Sequence, residues 1–177
     1  AIGYQTGEAI TIGVKNTIVG GLAGDAITEG EKNVLLGYNA GGSLTTGSNN
    51  IAIGNQALDA EDGHGRNVAI GRDALTNLNA GADAYNIAIG YNTGAAMTTG
   101  VENTLIGGLA GDALTTGSYN VALGYQSLGT EDAYGRNIAI GYFALHSLNA
   151  GGDAYNIAIG HSAGQGISTG LENVIIG

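Results

Sequence analysis

The sequence contains no cysteine, no proline and no tryptophan. Without cysteine the chain can form no disulfide, no iron–sulfur cluster and no thiolate zinc site. No apolar run approaches the roughly 18 residues of a membrane-spanning helix, so we expect no membrane insertion. Basic residues are also scarce, with 5 Lys and Arg against 15 Asp and Glu. The resulting net charge of −10 repels phosphate backbones, so we expect no nucleic-acid partner.

Glycine is abundant, with 34 residues among 177, and hydrophobic residues make up 44% of the chain. The glycines have no three-residue period, which excludes a collagen helix. The hydrophobic content is too high for a disordered chain. Glycine at this density also makes long helices implausible, because each one costs about 1 kcal/mol inside a helix.

A pentapeptide of the form Asn-Ile-Ala-Ile-Gly recurs along the whole chain at an interval of 17 or 19 positions. A fixed period of this size is typical of a solenoid, in which the polar column formed by stacked asparagines satisfies its own amides. We expect these asparagines to form a structural ladder, and replacing a central one by leucine to cost about 1–3 kcal/mol. The pentapeptides begin at Asn16, Asn33, Asn50, Asn67, Asn86, Asn103, Asn120, Asn137, Asn156 and Asn173.

Counting each repeat from its asparagine as position 1, positions 2 to 4 are mostly branched aliphatic residues, which predict a short strand. Position 5 is always glycine, which fits a corner with positive φ or close backbone approach. Position 8 is small and position 12 is mostly a large aliphatic residue, which predicts a second hydrophobic wall. The corner glycines are Gly20, Gly37, Gly54, Gly71, Gly90, Gly107, Gly124, Gly141 and Gly160.

Thr-Thr-Gly or a variant closes many repeats and predicts a second strand and turn in each coil. The predicted fold is therefore all-β: a parallel β-solenoid, or β-roll, of about ten coils of 17 to 19 residues with two short strands per coil. Residues 1–177 would form one solenoid domain. A four-coil block is duplicated within it, so that the long coil from Asn67 returns from Asn137. Because both ends fall inside a repeat, we expect a segment of a longer array.

Position 3 of the strand is apolar in every repeat, as in Leu35, Ala52 and Leu105. Since side chains alternate along a strand, positions 2 and 4 face the opposite way, and the strand is apolar on both faces. One face would cover the coil interior and the other a second copy of the chain. We therefore predict a homo-oligomer, most simply a homotrimer, with position 3 at the interchain contact.

Tyrosines concentrate at two places, after the corner glycine and before the asparagine. Exposed aromatic columns can stack on sugar rings or pack at an interface, although tyrosine covering the edge of a narrow solenoid is the simpler interpretation. The candidate surface-binding residues, with a cell-surface glycan as candidate partner, are Tyr4, Tyr38, Tyr91, Tyr125 and Tyr142.

Acidic turns at Asp59, Glu61 and Asp62, echoed at Glu131 and Asp132, raise the question of calcium. No EF-hand spacing is present, and solvated turns paired with nearby arginines explain them more simply. The three histidines occupy different repeat positions, so no histidine pair has ligand spacing. We therefore expect no tightly bound metal and no cofactor. No residues form a catalytic constellation, so we expect no enzymatic activity.

The segments Asn-Ile-Ala-Ile-Gly at 50–54, 86–90, 137–141 and 156–160, with Asn-Val-Ala-Ile-Gly at 67–71, resemble the head repeats of YadA-like trimeric autotransporter adhesins. They are also similar to repeats in phage tail fibres. The resemblance implies a left-handed parallel β-roll with three chains side by side, displayed outside the cell on a bacterial or virion surface. The repeats of that family are shorter and lack the Thr-Thr-Gly closure.

These observations favour a structural and adhesive fibre module of a virion tail fibre or bacterial adhesin. An ice-binding solenoid is the first alternative, since regular coils can present threonine arrays; here the column at position 13 is interrupted at Asp62 and Asn79. A polysaccharide-cleaving β-helix enzyme is the second alternative, and it would need a carboxylate cluster that the sequence does not display.

Overall fold

The computed structural model describes residues 1–131 and 133–177, and it confirms an all-β parallel solenoid. Consecutive strands pair in parallel and in chain order, each one repeat from the next, within a single ten-stranded sheet. The described residues contain no helix, and so none that could cross a membrane. The strands are β1 Thr17–Val19, β2 Val34–Leu36, β3 Ile51–Ile53, β4 Val68–Ile70, β5 Ile87–Ile89, β6 Thr104–Ile106, β7 Val121–Leu123, β8 Ile138–Ile140, β9 Ile157–Ile159 and β10 Val174–Ile176.

Among the described residues each coil contributes one strand, and the second strand predicted at Thr-Thr-Gly is not formed. That segment is a bend that still bonds to the next coil. The Thr28 N–H donates to the Thr45 carbonyl at 2.9 Å, and the Thr98 N–H donates to the Thr115 carbonyl at 2.8 Å. In several coils one or both of the N–H groups that follow this one along the chain donate to the same carbonyl of the next coil. The backbone there is therefore curved rather than extended. The segment therefore stacks on the next coil through hydrogen bonds but lacks the extended geometry of a strand, which is why the predicted second strand is not formed.

Position 3 faces the interior of the solenoid, contrary to the predicted interchain contact. Leu35, Ala52 and Leu105 are fully buried within their own chain. In register, Leu35 lies beside Ile18 and Ala52 in the sheet, so position 3 forms a continuous inner column. The interior is narrow, which explains why this position is most often alanine.

Core volume is shared between positions 3 and 9. Coils with a large residue at position 3, such as Leu35 and Leu105, have glycine at position 9, and a Cβ added at Gly41 would meet Leu35 Cδ2 at 2.9 Å. Coils with Ala52 or Ala69 have a buried leucine at position 9 instead. The exchange is not universal: the coil of Ala88 also has glycine at position 9, and there leucines of the two neighbouring coils fill the space, so the interior stays close-packed. The predicted walls at positions 8 and 12 complete the core: Ala23, Ala40, Ala57, Ala74, Ala110, Ala144, Ile27, Leu44, Leu78, Met97, Leu114 and Leu148 are buried.

Positions 2 and 4 point away from the core and form what we call the outer face. It runs the length of the sheet, about 43 Å for ten strands. Most of its side chains are half-buried by their neighbours, and those of β10 are largely exposed. Every outer-face residue is aliphatic except Thr17 and Thr104, and none is charged.

The corner glycines stack directly on one another. Gly71 has φ +133°, and a Cβ added to it would lie 2.2 Å from the carbonyl oxygen of Gly90 in the next coil. No side chain fits there, because the obstacle is backbone of the neighbouring coil. Glycine at position 5 therefore allows both the backbone conformation and the coil spacing.

Candidate functional site

The asparagines form a continuous ladder inside the coil corners. The backbone N–H of Asn103 donates to Oδ1 of Asn86 at 2.9 Å, and Asn86 Nδ2 donates to the Gly100 carbonyl at 2.7 Å. The same backbone-to-side-chain bond links all ten asparagines at 2.9–3.2 Å. Eight of them are fully buried. Each amide thus satisfies backbone groups at a turn that water cannot reach, which is a structural role.

The side chains that follow the corner glycines form the corner ladder, which holds the five candidate tyrosines. Tyr125 stacks on Tyr142 with ring centroids 5.6 Å apart, and Tyr142 stacks on His161 at 5.1 Å. Tyr4 and Tyr38 are separated by Gly21, and Tyr91 and Tyr125 are separated by Gly108. The remaining members are Asn55 and Arg72. The structure thus brings only two of the five tyrosines into ring contact with each other.

Ring stacking along the corner ladder limits what these tyrosines can bind. The two faces of Tyr142 are covered by Tyr125 and His161, so its edge and hydroxyl are what reach solvent. A sugar ring stacks on an aromatic face, not on its edge. Within this ladder, the glycine gaps at Gly21 and Gly108 are the places where a ring can approach a tyrosine face.

The side chains that precede the asparagines form a second surface column, the flanking ladder, at the other end of the strands. Arg66 lies over the ring of Tyr85, with 5.4 Å from its Cζ to the ring centroid, and donates a hydrogen bond to the tyrosine hydroxyl. Arg136 lies over Tyr119 at 4.8 Å and over Tyr155 at 5.6 Å. The sequence identifies these tyrosines by their position before the asparagine, but it does not identify the arginines as their partners. The spacing of one repeat between each arginine and its tyrosine was the available signal.

The acidic turn brings Glu61, Asp62 and His64 together, with one potential ligand atom of each within 4.8 Å of the others. The carboxylate of Glu61, fully buried at core position 12, accepts N–H bonds from His64 at 3.2 Å and Ala80 at 3.4 Å. Glu131 accepts the equivalent bonds from Tyr134 and Ala150, both at 3.3 Å. The second copy of this turn keeps both bonds although it has tyrosine where the first copy has histidine. We therefore interpret the glutamate as a structural cap of the longer coil. Asp132 lies outside the described residues.

We expect stability to increase as the pH falls from neutrality. Burial raises the pKa of Glu61, against the opposing N–H bonds from Ala80 and His64, and burial likewise raises the pKa of Asp59 and Asp112. A carboxyl with a raised pKa in the folded state favours folding when protonated. The free energy of unfolding should therefore rise as the pH drops through the folded pKa values, and level off below the ordinary pKa values of 4.5 for glutamate and 3.8 for aspartate.

Urea unfolding followed by circular dichroism at several pH values measures this dependence. Glu61→Gln should flatten it, because its side chain no longer titrates, whereas the exposed Glu29→Gln should leave it unchanged. Stability that falls steadily between pH 7 and pH 5 would contradict the expectation.

Comparisons of the chain with family models, with curated proteins and with solved structures find no match. The resemblance to trimeric adhesin heads and tail-fibre repeats therefore rests on the strand pentapeptide.

Proposed function

We propose that the protein is a non-catalytic structural and adhesive module of a surface-displayed fibre, assembled from several copies of the chain, most simply three. The outer face is the observation that carries this proposal. It presents two parallel columns of side chains that are branched aliphatic except at Thr17 and Thr104, without a single charge. Surfaces of this kind mark sites of protein association. The interchain contact is thus moved from position 3 to positions 2 and 4.

An identical copy of the chain is the occupant that suits the outer face best. The chain carries a net charge of −10, yet the outer face is uncharged, so copies can meet there without like-charge repulsion. The ridges repeat at the strand spacing of about 4.8 Å, which another outer face matches along its whole length. The strand residues alone span roughly 10 by 43 Å, about half of the roughly 800 Å² per partner of a standard interface, which leaves the corner ladder outside the contact.

Charge placed on the outer face should separate the copies. Ile70→Asp together with Ile140→Asp should reduce the mass measured by sedimentation equilibrium from a multiple of the chain mass, three for the proposed trimer, to that of one chain. Two carboxylates would otherwise be desolvated at each contact. Thr99→Asp together with Ala82→Asp, at exposed positions, adds the same charge as a control. A wild-type chain that sediments as a monomer at high concentration would overturn the proposal, and a stable dimer would replace the trimer.

The adhesive part of the proposal places glycan contacts at the rim of the assembly, along the corner ladder. Tyr91 and Tyr125 border the gap at Gly108, where a sugar ring can approach an aromatic face. A glycan array probed with the wild type and with Tyr91→Ala is the test. Binding that disappears in the variant supports this contact. No signal on the array leaves the module structural but not sugar-binding, and attachment to another surface would then depend on a protein receptor.

The threonine column bears on the ice-binding alternative. The hydroxyls of Thr11, Thr28 and Thr45 donate to carbonyl groups of the following coil at 2.9–3.3 Å, and Thr98 does the same at 3.2 Å. A hydroxyl proton already donated to the backbone is not available to an ice lattice. This arrangement favours the fibre proposal over an ice-binding face at this column.

A further inference from the structure

The flanking ladder places different side chains in one repeated geometry. Over five coils it reads Tyr85, Glu102, Tyr119, Arg136 and Tyr155, and all five residues adopt the left-handed conformation with φ between 52° and 66°. The backbone N–H groups of Glu102, Tyr119 and Arg136 each donate to the coil before, as from Glu102 to the Ala84 carbonyl at 2.7 Å, whereas in the two longer coils the N–H of the residue before the tyrosine does so. Because backbone and spacing are shared, an observation on one rung of this ladder transfers to the others.

One tyrosine pair of this ladder already holds a cation. The guanidinium of Arg136 lies between the rings of Tyr119 and Tyr155, at 4.8 and 5.6 Å from their centroids. Its Nε donates to Asp153 Oδ2 at 2.7 Å. Two tyrosines that are two coils apart, about 9–10 Å, therefore leave the right space for one guanidinium between them.

A second tyrosine pair has the same separation, but within the described part of the chain no cationic side chain lies between its rings. Tyr85 and Tyr119 are also two coils apart, and the rung between them is Glu102, with an exposed side chain. A shallow, open pocket of about 360 Å³ is lined by Tyr85 and Glu102, and Tyr119 lies on the next rung beyond it. Arg66 lies over Tyr85 from the preceding coil and Arg136 lies over Tyr119 from the following coil, so each tyrosine turns its other side toward the Glu102 rung.

The charges around this cavity favour a cation. Arg66 forms a salt bridge with Asp83 at 3.2 Å, and Arg136 forms one with Asp153 at 2.7 Å, so both neighbouring positive charges are compensated. Glu102 forms no salt bridge among the described residues. A carboxylate on the rung between two tyrosines attracts a cation by its charge, and the ring quadrupoles add to that attraction.

We propose that Tyr85, Glu102 and Tyr119 form a binding site for a guanidinium or alkylammonium group of a ligand. The cation lies between the two rings, as Arg136 does one pair further along, and its charge is balanced by Glu102. The site lies on the flanking ladder, beside the outer face and not on it. It therefore stands whether or not the chain forms a trimer.

The test is a titration followed by NMR, reading the aromatic ring signals of Tyr85 and Tyr119. N-acetylarginine amide is the guanidinium probe, tetramethylammonium is the ammonium probe, and N-acetylcitrulline amide is a neutral control of nearly the same shape as the first. We expect saturable shifts with both cations, with Kd in the millimolar range, and none with citrulline. Added salt should weaken the binding, since the carboxylate is exposed.

Two substitutions at the exposed Glu102 separate binding from folding. Glu102→Gln should weaken cation binding by about fivefold or more, the equivalent of a solvated charge contact. Glu102→Arg should abolish it, because the new side chain occupies the site as Arg136 occupies its own. Glu172→Gln is the matched control, since Glu172 follows Tyr155 but has no described coil beyond it, and it should bind as the wild type does. Equal binding of citrulline, or undiminished binding by a folded Glu102→Arg, would overturn the proposal.

The two cation probes distinguish the source of the natural ligand. A clear preference for the arginine amide assigns the site to arginine side chains of a protein partner. A preference for tetramethylammonium assigns it to small quaternary ammonium groups, such as those of lipid headgroups or osmolytes. Saturation by neither cation would refute the site.

Discussion

Replacing Gly71 by alanine should destabilise the protein by about 3–6 kcal/mol, or prevent the central coils from stacking. Two independent costs add here. At φ +133° a residue with a Cβ is strained, and that Cβ would lie 2.2 Å from the Gly90 carbonyl oxygen and 2.6 Å from its carbon. Neither atom can move aside, because both belong to a backbone that is bonded to the next coil. Urea unfolding followed by circular dichroism measures the loss.

Two glycines outside the corner column provide controls. Gly152→Ala should be nearly neutral, since a Cβ there meets nothing within 4 Å and φ is not in the positive range. Gly81→Ala also meets no atom within 4 Å but has φ +70°, so it isolates the conformational cost at about 1 kcal/mol. If Gly71→Ala loses no more stability than Gly81→Ala, close coil spacing is not what the corner glycines provide.

Replacing Asn86 by leucine should cost about 2–6 kcal/mol, more than the sequence indicated. The change removes three hydrogen bonds; the Asn103 side-chain amide, which also donates to Asn86 Oδ1 at 3.2 Å, keeps other acceptors, but two buried backbone groups do not. The buried N–H of Asn103 loses the Oδ1 atom that it contacts at 2.9 Å, and the Gly100 carbonyl loses the Nδ2 donor at 2.7 Å. Each buried group left unpaired costs about 1–3 kcal/mol. The change in midpoint of urea unfolding is the measurement.

Asn173→Leu is the matched control at the last rung. Asn173 is only partly buried, and its Nδ2 donates to Asn156 Oδ1 and the nearby Leu171 carbonyl. No following asparagine depends on its Oδ1 within this chain. The free energy of unfolding lost in Asn173→Leu should be less than half of that lost in Asn86→Leu. Equal losses at the two rungs would mean that the amide ladder is not the source of the effect.

The fold could be predicted because its determinants are local and repeated. The pentapeptide specifies a strand and a corner in every coil, and in-register stacking then follows from the period alone. The corner glycine and the buried asparagine are each explained by one backbone requirement. Coil number, parallel pairing and the inner columns at positions 8 and 12 needed no information beyond this.

The direction of the strand side chains could not be decided from the same pattern. Positions 2, 3 and 4 are all apolar, so hydrophobicity does not distinguish inside from outside. Size distinguishes them in most coils, since Ala52 inside is smaller than Ile51 and Ile53 outside, but not in every coil, because the larger Leu35 also faces inward and is accommodated by Gly41 in its own coil. The prediction of a second strand was wrong for another reason. A threonine-rich composition predicts extended backbone, but it does not predict how sharply a coil must turn.

The candidate cation site was hidden from the sequence because it depends on what lies two coils away. Tyr85 and Tyr119 belong to coils that are not consecutive along the chain, and only stacking shows that Glu102 lies between them. The same is true of the core glutamate Glu61, which the sequence placed on a solvated turn. In both places the coil has a different residue type from its neighbouring coils at the same repeat position. Comparing the residues that stack at one repeat position is therefore more informative than comparing neighbours along the chain.

Residues that contact each other in neighbouring coils are separated by a nearly constant number of positions in the sequence, and this affects how the chain folds. Every strand pairs with the strand of the adjacent repeat, so adding a coil to a partly formed stack closes a loop of nearly the same short length each time. The entropy of loop closure depends on that length and not on the length of the chain. Growth can start at any pair of adjacent coils and proceed in both directions, as in a one-dimensional chain of identical steps. A protein of this design can become longer by whole coils without its folding rate being limited by distant contacts.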